Sequence, residues 1–277
     1  MSSRIPSDVS QRISRRVIAE QHLALTETFH SPWHFPNASH APPEDEFVGE
    51  VFLKCNAKEI IESCATAISK LAREAYGPDV TIPSIKLEGN IETTFPYIPS
   101  HIEYVIGELL RNSTQAVIQN TKPSSNPAPI QILICDTPQH VIFRISDQGG
   151  GIDHDVLPYL WSFTKGPRKH KRLQNLQQVP KLAATLEELQ HPSPSSSSAE
   201  STQSKDKYDG SLSSFTARPP ELRLGIGLPM SRIYAEYWAG SLEVHSLEGY
   251  GTDAFLQISK LGNKNEVLST RASMDAV

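Results

Sequence analysis

The chain has 277 residues, a formal net charge of −5, 38% hydrophobic and 21% charged residues. That length gives one domain or two small ones with a sizeable core, and the modest apolar share points to a polar insertion. Acidic charge without a long basic stripe argues against a nucleic-acid partner held through its phosphates, three cysteines outside any CxxC pair argue against a disulfide framework or a zinc site, and no apolar run reaches the length of a membrane span.

Helical spacing of Ile13, Val17 and Leu23 predicts an amphipathic helix over 8–29. The segment MSSRIPSDVSQRISRR makes a poor transit peptide, because it contains Asp8 and lacks a clear apolar face. A Pro-rich loop follows, whose His30, His34 and His40 lack a regular metal-ligand spacing. Ile60, Ile61, Cys64, Ile68 and Leu71 place one apolar face on a helix over 57–76, closed by Gly77-Pro78. SIKLEGNIETTF reads as a β-hairpin turning at Gly89-Asn90. Pro99-Ser100 opens a helix to about Asn120, and strands are expected at 129–135 and 140–146, then a short helix near 154–161.

Residues 166–220 begin basic (KGPRKHKR), allow one helix near 180–189 and end Ser-rich, with the composition of a disordered loop. GIGLPMSRIYAEYW then opens a helix. Strands SLEVHSL and TDAFLQIS are joined through Glu248-Gly249-Tyr250-Gly251, and the tail after Leu261 is polar. Hairpins and helices mixed in this order predict an α+β fold. One mixed, largely antiparallel sheet carries its helices on one face.

Four features along this order carry chemistry. On the helix after Pro99, Glu108 and Asn112 lie four apart, about 40° around the axis, at the margin of a stripe of Ile102, Val105, Ile106, Leu109, Ala116 and Val117. A carboxylate and a carboxamide so placed suit a general base and a hard cation such as Mg²⁺. In ISDQGGGI, Asp147 ends a strand and precedes Gly149, Gly150 and Gly151. The carboxylate can accept from an amino group of a flat heterocycle, while glycines let the backbone approach; a tight turn uses the same residues. In GIGLP, Gly225 and Gly227 precede a helix N-terminus, where free N–H groups and the helix dipole suit phosphate. No Gly-Lys-Ser/Thr follows, so this is not a Walker A loop. Gly249, Gly251 and Thr252 form a turn whose hydroxyl offers a further polar contact.

Together these resemble the N-box, G1 box, lid, G2 box and terminal Gly-Thr of the GHKL ATPase superfamily, which includes gyrase, Hsp90, MutL and histidine kinases. ELLRN, SDQGGGI, GIGLPMSRIYAEYWAGSLEVHSLEGYGTD and ISRRVIAEQHLALTE resemble the mitochondrial protein kinases of the pyruvate and branched-chain 2-oxo acid dehydrogenase complexes, from about Arg12 to Ile258. HLALTE, EDEFVG and FPYIP look closer to the branched-chain enzyme, and the lid and Pro-rich loop look like a fungal-type elaboration.

The resemblance implies a GHKL-type α/β sandwich over 81–262 with a lid at about 166–220. A remnant of a helical bundle would occupy 1–80, and a loose tail 263–277. It implies Glu108 as general base for a substrate serine and Asn112 as the Mg²⁺ ligand. Asp147 would bind the adenine amino group, with Gly149, Gly151 and Ile152 beside it. Gly225, Ile226, Gly227 and Leu228 would line the triphosphate, and Thr252 would sit near adenine. It also implies ATP and Mg²⁺, the decarboxylase α subunit and the lipoyl domain of the core as partners, a homodimer and the mitochondrial matrix. The implied activity is phosphorylation that inactivates the complex, branched-chain before pyruvate.

Three residues depart from that pattern. Tyr104 stands where pyruvate-type members carry histidine, Arg111 where lysine is common, and Arg223 where the first glycine of GxGxGLP is expected. The family's longer N-terminal bundle makes a truncated form the expectation. Two other readings stay open: a non-catalytic ATP-binding regulator, and a histidine kinase with His22 as acceptor.

Overall fold

The computed structural model describes residues 4–30, 47–122, 125–163, 165–167, 170 and 225–260. The readings made for the Pro-rich loop, most of 166–220, Arg223 and the tail lie outside the described residues.

Helix α1 (Arg4–His30) takes in the predicted span and turns Ile13 and Val17 inward. Strands β1 (Phe47–Val48) and β2 (Val51–Asn56) follow as an antiparallel pair that the sequence reading did not anticipate. Helix α2 (Ala57–Tyr76) matches its predicted bounds because both ends are specified locally. The Asn56 side chain accepts from the N–H groups of Lys58 and Glu59 at 2.9 and 3.3 Å, and Gly77 closes the helix at φ 98°.

The predicted hairpin is not formed. Strand β3 (Ile85–Gly89) pairs parallel with β5 (Ile130–Asp136), whereas β4 (Thr94–Tyr97) pairs antiparallel with β2. A turn does follow Gly89, but it leads to a change of sheet rather than to a hairpin. Gly89, at φ 86°, lets the chain pass against the Ile134 carbonyl, which accepts from Asn90 N–H at 2.9 Å. The two strands therefore part into different sheets. Two sheets result, ordered β1-β2-β4 and β3-β5-β6-β8-β7, where β6 is His140–Asp147, β7 Ser241–Leu247 and β8 Gly251–Ser259. The larger sheet is mixed: β3–β5 is parallel and the other pairs are antiparallel.

Helix α3 (Pro99–Asn120) begins with Pro at its first position, where a missing N–H costs nothing. Its stripe packs between α2 and the large sheet, and Ile102, Val105, Ile106, Leu109 and Leu110 are all buried. The short helix expected near 154–161 is a 3-10 turn at Leu157–Tyr159. Helix α4 (Gly227–Tyr237) packs on α3 and α1. Buried residues of both sheets and all four described helices form one core cluster, an α+β architecture as expected.

At its upper end this core contains a buried histidine. His101 is 4% exposed, lies tilted against Tyr234 with ring centroids 4.6 Å apart and accepts from Trp238 Nε1 at Nδ1, 3.3 Å. Burial, with the Arg16 charge beside it, pushes its pKa down to about 4 from 6.5. The neutral ring is thus the folded form. As pH falls below 6.5 the unfolded chain takes up a proton that the folded chain refuses, so stability falls until about pH 4, where both forms are protonated. The loss is on the order of 3 kcal/mol. Urea midpoints between pH 7 and pH 4 should show it, and His101→Gln should flatten the slope.

Candidate nucleotide-binding site

Two chain segments, the start of α4 and the glycine run after β6, meet an i, i+4 ridge of α3 that runs from Glu108 to Asn120. Glu108 is 2% exposed and ion-paired with Arg111 one turn on. It lies directly against Gly227, the first residue of α4: a Cβ there would overlap the Glu108 carboxylate. Asn112, next on the ridge, is half-buried. Ala116 packs against Gly149, and the Asn120 side chain lies 3.3 Å from where a Gly150 Cβ would stand.

Around Asp147 the geometry is closed on two sides. The carboxylate is 7% exposed; Oδ1 accepts from Gly149 N–H at 2.9 Å and Oδ2 from the Ser113 hydroxyl at 2.8 Å. Burial raises its pKa above the usual aspartate value, only partly offset by those bonds and one from the Thr252 backbone. Asp147 faces Thr252 directly in the β6–β8 ladder. Each carboxylate oxygen keeps lone-pair capacity for another donor, so the group is oriented yet able to accept an amino group.

The three glycines have separable reasons. Gly150 and Gly151 have φ of 86° and 75°, which only glycine adopts without strain. Gly149 does not; it is glycine because α3 passes too close, with Ala116 C at 2.8 Å and Val117 N at 3.0 Å from an added Cβ. Gly149→Ala should therefore cost about 1–3 kcal/mol by overpacking, read from denaturant melts. A stability within 0.5 kcal/mol of the parent, roughly the scatter for an innocuous substitution, would refute that contact.

The predicted phosphate loop lies at a helix start that no side chain caps. Gly225 is exposed with φ 67°, and Ile226 and Leu228 are half-buried. The N–H groups of Gly227 and Leu228 fall in the helix's first turn, whose donors have no intrahelical partner; Pro229 has none to offer. The structure thus forms two clusters. One contains Glu108, Arg111 and the start of α4, with Asn112 four residues after Glu108 on the same helix. The other contains Asp147, Gly149, Gly151, Ile152 and Thr252.

Among the described residues there is no group of three or more His, Cys, Asp or Glu able to hold a metal. Mg²⁺ bound with a nucleotide needs no such cage, since one or two protein oxygens plus phosphates and waters complete its shell. Asn112, a half-buried carboxamide four residues after Glu108 on α3, can offer one such oxygen. Ser113, missed in the sequence, is the further residue of this site; its position directly after Asn112 was the available signal.

Tyr104, singled out as a departure, is 6% exposed and packs against Tyr234 at 5.5 Å, one helical turn before Glu108. Burial, with the Glu108 charge adding to it, raises its pKa well above the usual phenol range. It stays neutral and fills space beside the carboxylate.

Residues 97–261 match the family described as histidine kinase-, DNA gyrase B-, and HSP90-like ATPase. The chain is 32% identical to pyruvate dehydrogenase (acetyl-transferring) kinase 2, mitochondrial, of Saccharomyces cerevisiae, over 91% of this chain and 54% of that protein. It is 30% identical to the mitochondrial pyruvate dehydrogenase kinase of Arabidopsis thaliana, over 93% and 57%. Against the human pyruvate dehydrogenase kinase isozyme 4, mitochondrial, the figures are 24%, 92% and 50%. The chain spans about half the length of the curated relatives it matches. With more than half its residues inside the matched region, the chain belongs to the histidine kinase-, DNA gyrase B-, and HSP90-like ATPase family.

Proposed function

We propose that the chain is the ATP-binding part of a protein-serine kinase that phosphorylates and inactivates the decarboxylase α subunit of a mitochondrial 2-oxo acid dehydrogenase complex. The observation that carries this reading is the contact between Glu108 and Gly227, which sets a buried carboxylate beside a helix start whose first N–H groups have no intrahelical partner. Asp147 would accept the adenine amino group, with Gly149, Gly151, Ile152 and Thr252 around the base. Gly225, Ile226, Gly227 and Leu228 would hold the triphosphate. Asn112 would hold Mg²⁺, which supplies charge neutralisation between the phosphates. Glu108 would take the proton of the serine hydroxyl as it attacks, and Arg111 fixes the rotamer from which it does so.

The relatives reported above are pyruvate dehydrogenase kinases by name, which supports a substrate of that class. Tyr104 and the branched-chain-like segments keep the branched-chain complex as the competing substrate. The mitochondrial matrix, a homodimer and docking on the lipoyl domain belong to the same proposal. A second reading, ATP binding without transfer, draws on the depth at which Glu108 is held by Arg111. The test incubates the full chain with MgATP and each purified complex. Phosphoserine on the α subunit of either supports the kinase. ATP binding by calorimetry without phosphoserine on both supports the second reading, and no ATP binding refutes both.

A further inference from the structure

The glycine run after Asp147 and the β7–β8 turn form one interlocked double loop. Gly150 N–H donates to Tyr250 O at 3.2 Å, and Gly249 N–H donates to Gly150 O at 2.8 Å. Gly151 has no room for a Cβ because it rests on the Leu247 carbonyl; Gly251 has none because it rests on the Asp147 carbonyl. These contacts are all backbone. Ser246, on β7, gives them a side-chain anchor. Its hydroxyl accepts from Ile152 N–H at 2.7 Å and donates to Gly251 O at 3.4 Å. It is half-buried, pairs directly with Thr252 in the β7–β8 ladder, and so stands one strand beyond the Asp147–Thr252 pair.

We infer that Ser246 is a positioning residue for base recognition, acting through Ile152 and Gly251 rather than by touching the nucleotide. This rests on the ATP-binding reading above. The hydroxyl holds the end of the glycine run and the start of β8 in fixed register, so Asp147 and Thr252 present their acceptor and donor to one plane. Without it, Ile152 N–H loses its partner and the end of the glycine run is left to the backbone bonds of Gly150. The adenine end of the site then loosens, while the phosphate end, built on α3 and α4, does not.

Calorimetry of the full chain with MgATP and MgGTP tests this. Parent protein should bind MgATP and prefer it to MgGTP. Ser246→Ala should weaken MgATP by roughly fivefold to tenfold, the effect of one lost hydrogen bond, and narrow the ATP-to-GTP preference. Ser246→Thr, which keeps the hydroxyl in a strand-compatible residue, should restore both. A fold-only role would lower the melting temperature of Ser246→Ala while leaving the base preference intact, and that result overturns the inference. Parent protein that binds neither nucleotide overturns the ATP reading instead.

Discussion

Replacing Glu108 by glutamine should lower serine phosphorylation by roughly 10²–10⁴-fold while MgATP affinity changes by less than about threefold. Glutamine has nearly the same shape, so it keeps the contact with Gly227 and still offers an oxygen to Arg111. What it cannot do is accept the serine proton. Two effects compete in the folded state. Neutralising Glu108 removes the charge from its ion pair with Arg111 inside the protein, which is destabilising. The retained amide oxygen offsets much of that, so the fold should survive. Alanine would be a poorer test, because it empties the space and uncovers Arg111 together. Steady-state rates and calorimetry on the same preparation separate the outcomes. A glutamine variant that transfers phosphate at the parent rate would mean Glu108 is not the base.

The second large effect is expected at Asp147. Asp147→Asn should weaken MgATP by about 100-fold, near 2.7 kcal/mol, with little loss of fold. The direction follows from the donors already present. Gly149 N–H and the Ser113 hydroxyl both point at this side chain. An asparagine oxygen will turn to Gly149 N–H, whose hydrogen cannot move. Its NH₂ then faces Ser113, whose hydroxyl can rotate to accept, and the incoming amino group meets a donor. The pH dependence has the same origin. Burial raises the Asp147 pKa, so on acidification the carboxylate is lost earlier than an exposed aspartate would be. Nucleotide affinity should therefore decline at a higher pH in the parent than a solvent-exposed acceptor predicts, and be nearly flat in the asparagine variant. An asparagine variant binding MgATP as tightly as the parent would remove Asp147 from base recognition.

Much of the architecture was legible in local chemistry. Helices α2 and α3 were bounded correctly because caps and prolines mark their ends, and β6 ended where Asp147 meets the glycines. The grouping of Glu108 with GIGLP came from the order of motifs, and the structure supplies the contact: Gly227 against the carboxylate. What could not be read was which partner a strand takes. Gly89-Asn90 signals a reversal whether the next strand returns to its neighbour or leaves for another sheet. The same limit hid Ser246, a serine on a half-polar strand whose importance depends on Ile152, far away in sequence. Gly149 was read as room for a base. Its missing side chain also makes room for Ala116, a contact between elements that no single motif encodes.

Four residues of α3, Glu108, Asn112, Ala116 and Asn120, fall on one ridge about 18 Å long from first to last, and Glu108, Ala116 and Asn120 lie against Gly227, Gly149 and Gly150. The helix thereby acts as a gauge block, fixing the distance between the end that would select the base and the end that would transfer the phosphate. One residue inserted between Ala116 and Glu108 would turn one end against the other by about 100° and 1.5 Å. Gly149 could keep its seat against Ala116, but the carboxylate would leave Gly227. Substitutions can tune either end alone, whereas a change of length within this helix disconnects them.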